Sequence, residues 1–280
     1  MKIPAFEPEA SGLPLHFLHA NGYPPACYKP LLDLLKSKFR VFGMLLRPLW
    51  PLSKPEELAD WKPLSQDLLD YLEGQKNLPV IGVGHSIGGI VTLRAALRDP
   101  QKFRALILVE PVLFPPYFIL LWTLARLLGL ARKTHPLINS ALKRRREFDD
   151  LEFVFQGYRN RSIFRYMSDP ALRAYITGIT KPKAERGYTL AYTPEWEAQI
   201  YYSGIWRDLD LWRNLPKLSL PTLVLRGIES DTFREQSARR IERINPRIRV
   251  MRIDKSTHLL PLERPEMVYE LIHSFIMENR

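Results

Sequence analysis

The chain has 280 residues, with 41 Lys+Arg against 30 Asp+Glu and a formal net charge of +11. At 46% hydrophobic and 25% charged it has an ordinary globular composition, which excludes a disordered chain, a collagen-like repeat and a disulfide scaffold. The single cysteine, Cys27, rules out an intramolecular disulfide, and Met1–Glu7 hold no apolar core of signal-peptide length, so the expected setting is reducing and cytoplasmic.

Taken in chain order, the first element is a strand over Leu15–Leu18, followed by His19-Ala20-Asn21-Gly22. Arg40–Leu45 reads as a second strand. Leu64, Leu68, Leu69 and Leu72 fall on one helical face behind Pro63, a good helix starter. Val80–Val83 is a third strand, and it runs through Gly84-His85-Ser86-Ile87-Gly88-Gly89 into the helix Ile90–Leu97. Ala105–Val109 is a fourth strand and ends at Glu110-Pro111. From there to about Tyr202 only helical patterns are visible. Strands return at Thr222–Leu225 and Ile248–Ile253, and a last amphipathic helix spans Met267–Ile276. The middle strands are short, apolar and β-branched, as parallel strands buried on both faces are. Strand and helix alternation predicts an α/β fold with a doubly wound, mostly parallel sheet. The helical stretch between its strands predicts an insertion, with residues 1–113 and 204–280 forming the core and 114–203 a helical cap.

The strongest local signal is Gly-x-Ser-x-Gly at Gly84, Ser86 and Gly88. Between a strand and a helix this is a nucleophile elbow: a sharp turn that strains the serine backbone and leaves no room for side chains at the flanking glycines. A dinucleotide fingerprint would need glycine where Ile87 stands, and a phosphate-binding loop would need lysine where Ile90 stands. His258, a few residues after the last strand, is the candidate base. Two carboxylates compete to orient it: Asp231, in the loop after the strand at Thr222, and Glu110, at the end of the adjacent strand. The reading favours Asp231, and the alternative use of Asp231 is as a helix cap. An oxyanion hole needs two backbone N–H groups. Ile87, after the nucleophile, supplies one and Asn21 the other, with Ala20 as the near alternative. His16 and His19 stand three apart on a strand and so face opposite ways, which argues against a metal site. His85 reads as a packing residue.

These motifs resemble the α/β-hydrolase fold family, in its capped serine hydrolase, esterase-like branch. The resemblance rests on His19–Pro24, Gly84–Gly89, Leu225-Arg226-Gly227 with Asp231, and His258 with Pro261 and Glu263. It implies a Ser86–Asp231–His258 triad with neither cofactor nor metal. It leaves open a thioesterase, C–C bond hydrolase, lyase or acyltransferase on the same residues, or a ligand-binding sensor that kept them. The apolar stretch at 113–130 predicts a pocket for a small hydrophobic substrate. Between residues 111 and 187 there are 14 Lys+Arg and 6 Asp+Glu. The densest run, Lys143-Arg144-Arg145-Arg146, reads first as a solvated helix face and second as a weak contact for acidic membranes; no nucleic-acid-binding motif accompanies it.

Overall fold

The computed structural model describes residues 2–7 and 11–279; the expected outer limits of the core, Met1 and Arg280, lie outside the described residues. In chain order the elements are β1 (Ala5–Phe6), β2 (Leu13–Leu18), α1 (Lys29–Lys36), β3 (Phe39–Met44), α2 (Lys62–Glu73), β4 (Val80–His85), α3 (Ile87–Arg98) and β5 (Phe103–Val109). Between β5 and the next strand of the main sheet come α4 (Pro116–Leu127), α5 (Ala131–Thr134), α6 (Pro136–Leu142), β6 (Glu147–Phe148), α7 (Leu151–Arg159), α8 (Asp169–Ile179), β7 (Thr180–Pro182), β8 (Tyr188–Leu190), α9 (Pro194–Ser203) and α10 (Leu209–Asn214). The chain then returns through β9 (Thr222–Gly227), α11 (Glu235–Ile244), β10 (Ile248–Ile253), α12 (Leu260–Glu263) and α13 (Pro265–Glu278).

Seven strands form one sheet in the order β1-β3-β2-β4-β5-β9-β10. All neighbours are parallel except β1, which runs antiparallel to β3. Alternate side chains feed two separate apolar layers. Leu106, Leu108 and Val224 join one layer, and Ala105, Ile107, Val109, Leu223 and Leu225 the other. Both faces are therefore covered, which is why the central strands read as unbroken apolar runs. Helices α2, α3 and α11 pack on the first side; α1, α12 and α13 pack on the second. The strand order reverses between β2 and β4. The loops leaving these two strands meet at that point, the usual ligand-binding crevice of open α/β sheets.

The stretch between β5 and β9 departs from its all-helical reading. It also holds a small antiparallel sheet, in the order β6-β8-β7. Strands of two or three residues are too short to display a period of two, so helix-period runs dominate the sequence signal.

Three histidines are built into the framework as neutral rings. His16 Nε2 accepts the Met44 N–H at 3.2 Å and His19 Nε2 accepts the Leu46 N–H at 3.1 Å, pinning the end of β3 to β2. Burial lowers the pKa of His16 to about 3 and of His19 to about 4, and holds that of His85 well below the ordinary value. A depressed imidazole pKa means that the unfolded chain binds the extra proton. Its stabilising contribution is full above the unfolded value near 6.5 and is lost as pH falls toward the folded values. Urea midpoints measured from pH 7.5 down to pH 5 should therefore fall, with each ring contributing up to roughly 1.4 kcal/mol per pH unit below about 6. A flat stability curve over that range would contradict the neutral assignment.

Candidate active site

Ser86 ends the tight turn from β4 into α3. Its backbone sits at φ 58° and ψ −120°, a conformation that L-residues rarely hold and that costs of order 1–3 kcal/mol. Two glycines make the turn sterically feasible. A Cβ on Gly84 would lie 2.4 Å from the Gly88 carbonyl oxygen, and one on Gly88 would lie 2.2 Å from the Leu18 carbonyl oxygen. The second approach presses the first turn of α3 against the loop leaving β2. The Ser86 N–H donates to Val109 O at 3.0 Å, tying the turn to the end of β5.

His258 reaches Ser86 from the loop between β10 and α12. The Ser86 hydroxyl is 2.9 Å from Nε2 of His258, and Nδ1 of the same ring is 3.1 Å from Oε2 of Glu110. With a carboxylate at Nδ1, the ring donates there and accepts the serine proton at Nε2. Glu263 holds the histidine loop from behind: Oε2 accepts the Thr257 N–H at 2.6 Å and Oε1 accepts the Thr257 hydroxyl at 2.8 Å. Desolvation pushes the Glu263 carboxyl above its ordinary range.

The structure brings Glu110, not Asp231, to His258. Glu110 is fully buried and leaves β5 at φ 48°. Its backbone N–H donates to Leu225 O at 2.8 Å, which turns the side chain toward the histidine before Pro111 leads the chain away. The loop after β9, expected to supply the acid, instead supplies donors to it. The Gly227 N–H reaches Oε1 at 2.6 Å and the Ser230 hydroxyl reaches Oε2 at 2.5 Å. Asp231 lies one residue beyond that hydroxyl, on the surface, where it accepts from the Thr232 hydroxyl at 3.0 Å. It does not cap α11 either: Ser230 Oγ accepts the Thr232 and Phe233 N–H groups, and the α11 cap position is Arg234.

The loop after β2 separates the two oxyanion candidates. The Ala20 N–H is taken by the Tyr28 hydroxyl at 3.1 Å. The N–H groups of Asn21 and Ile87 have no hydrogen-bond partner among the described residues. The Asn21 side chain is anchored by donating to Glu197 O in α9 at 3.1 Å.

His85 does more than pack. Its Nδ1 accepts from the Tyr28 hydroxyl at 2.7 Å, and its Nε2 donates to the His258 carbonyl at 2.9 Å. A buried relay thus runs from Ala20 N–H through Tyr28 and His85 to the backbone of His258. Sequence reasoning missed Tyr28 and Ser230, since a tyrosine in a turn and a serine in a loop carry no pattern of their own.

The sequence profile described as the Alpha/beta hydrolase family matches residues 17–271. The chain is 21% identical over 259 residues to "Uncharacterized hydrolase YugF" of Bacillus subtilis (strain 168), covering 89% of this chain and 84% of that one. A shorter stretch of 101 residues is 28% identical to the pimeloyl-[acyl-carrier protein] methyl ester esterase of Legionella pneumophila (strain Corby). That match spans 34% of this chain and 37% of the esterase, little more than a third of its length. Among solved structures, E-2-(acetamidomethylene)succinate hydrolase superposes with a TM-score of 0.74 at 20% identity, covering 97% of this chain and 94% of that one.

Removing the Tyr28 hydroxyl leaves a buried N–H and a buried imidazole nitrogen unpaired, each costing about 1–3 kcal/mol. Tyr28→Phe should lower unfolding free energy by about 2 kcal/mol or more in urea titrations. An unchanged midpoint would show that the relay contributes nothing.

Proposed function

The chain belongs to the alpha/beta hydrolase family, and on that premise we propose that it is a serine hydrolase cleaving an ester or related acyl bond. The observation that carries this reading is the continuous contact from Ser86 Oγ to His258 Nε2 at 2.9 Å and from His258 Nδ1 to Glu110 at 3.1 Å. Ser86 attacks the acyl carbon while His258 takes the hydroxyl proton, and His258 then returns it to the leaving group. Water enters, His258 takes its proton in turn, and the acyl-enzyme ester is cleaved to release the acid and restore Ser86. Glu110 holds the imidazole in the required tautomer and stabilises the imidazolium. The free N–H groups of Ile87 and Asn21 receive the developing oxyanion, and their lack of protein partners supports that role.

The substrate reading is a hydrophobic or aromatic acyl group. It is supported by Tyr23, a partly buried aromatic residue of the loop that carries Asn21, whose ring lies 6.5 Å from that of His85. The partial match to an enzyme named for methyl ester cleavage supports esters as the first class to test. Residues 114–203 serve as a cap on this reading, supported by the hydrogen bond from Asn21 to Glu197 in α9. A cytoplasmic setting accords with the buried free thiol of Cys27.

A fluorophosphonate probe should label the protein at Ser86, and Ser86→Ala should abolish labelling and lower p-nitrophenyl ester turnover by about 10³-fold or more. Labelling that survives in Ser86→Ala would place the nucleophile elsewhere. Labelling without turnover of esters or thioesters would favour a binding protein that kept the residues.

A further inference from the structure

Helix α4 turns apolar side chains both inward and outward. Ile119 and Trp122 are buried, and Trp122 Nε1 donates to Gly204 O at 3.1 Å. On the other side Tyr117, Leu120, Leu121, Leu124, Leu127 and Leu128 form one stripe, with exposures between 51% and 75%. These positions recur at i, i+3, i+4, i+7, i+10 and i+11, so they share a single outward face. Scattered exposed leucines are ordinary, whereas five with a tyrosine on adjacent turns make a contiguous patch of the kind that marks an interaction surface.

Charge identifies what covers it. From Pro111 to Arg146 the chain holds seven Lys or Arg and not one Asp or Glu. The run Lys143–Arg146, read first as a solvated face and only second as a membrane contact, is partly neutralised: Arg144 pairs with Glu197 and Arg146 with Glu195, each at 2.5 Å. Arg126 and Arg132 are engaged with α9, both stacking on the Tyr202 ring, at 4.0 and 4.3 Å, and Arg132 donating to Gln199 Oε1 at 3.3 Å; Lys133, exposed just past the end of α4, and Lys143, exposed just past α6, form no ion pair among the described residues. A second copy docking face to face would bring these like charges together without a carboxylate between them. An anionic surface would meet them favourably.

We infer that the outer face of α4 docks on a membrane surface bearing anionic lipids, with the leucines in the headgroup–acyl boundary and Lys133 among the headgroups. Apolar area plus electrostatic attraction is the combination that holds interfacial helices. No helix among the described residues is long and apolar enough to cross a membrane, and α4 has 12 residues, so the contact lies in the plane of the surface. This inference is independent of the chemistry proposed at Ser86.

Flotation of the full chain with lipid vesicles tests it. Vesicles of phosphatidylcholine with about 30% phosphatidylglycerol should bind the protein at least about 10-fold more tightly than phosphatidylcholine alone. That binding should weaken as salt rises past about 0.15 M, where the Debye length is about 8 Å. The double variant Leu121→Glu with Leu124→Glu should reduce it by about 10-fold or more, with circular dichroism and ester turnover unchanged. Leu127→Glu, at the most exposed of the six positions, provides a second variant should the double one misfold. Absent binding to anionic vesicles, or binding that these variants leave intact, would overturn the inference. So would a concentration-dependent dimer in sedimentation that the same variants dissolve, since a second copy would then be the occupant.

Discussion

The close backbone approach around Ser86 is the constraint on which the site depends. Bringing α3 against the loop after β2 requires that nothing project from Gly84 or Gly88, because each would meet a backbone carbonyl rather than a side chain able to move. The same packing forces Ser86 to positive φ. In return the first turn of α3 points its unpaired N–H groups at the crevice where the sheet order reverses. The strain is held by a buried surround: β4 is buried along its whole length, and the Ser86 N–H is committed to β5.

That commitment links the serine to the acid. β5 accepts from Ser86 through Val109 O and, one residue later, carries Glu110, whose own N–H donates to β9. Serine and carboxylate are therefore fixed by adjacent residues, the last of β5 and the one that follows it. The β9 loop turns donors of Gly227 and Ser230 onto the carboxylate, satisfying a buried charge that would otherwise be expensive. His258 completes the set from the loop after β10, at the same sheet edge, steered by Glu263 and by the carbonyl that His85 engages.

The parallel strands and the serine turn were legible because each depends on local chemistry: unbroken apolar runs for strands covered on both faces, and glycines at fixed offsets for the turn. The choice between Glu110 and Asp231 was not. Both stand at strand ends on the same sheet edge, and their order in the chain fits either role. What decides is the backbone direction of Glu110, set by a hydrogen bond to Leu225 about which the sequence is silent. The apolar stretch at 113–130 was read as pocket lining. In α4 both faces are apolar, so periodicity could not tell inside from outside, and half of that stretch faces out. His85 was taken for packing because a histidine beside a nucleophile carries no signal of the tyrosine that will meet it.

The central claim is that Glu110 orients His258 for work on Ser86. It is tested most directly by measuring kcat on a p-nitrophenyl ester for Glu110→Gln and Asp231→Asn, each with a circular dichroism control. The account predicts a loss of up to about 10⁴-fold for Glu110→Gln and a rate close to the unmodified protein for Asp231→Asn. A folded Glu110→Gln that keeps its activity while Asp231→Asn loses it would contradict the assignment.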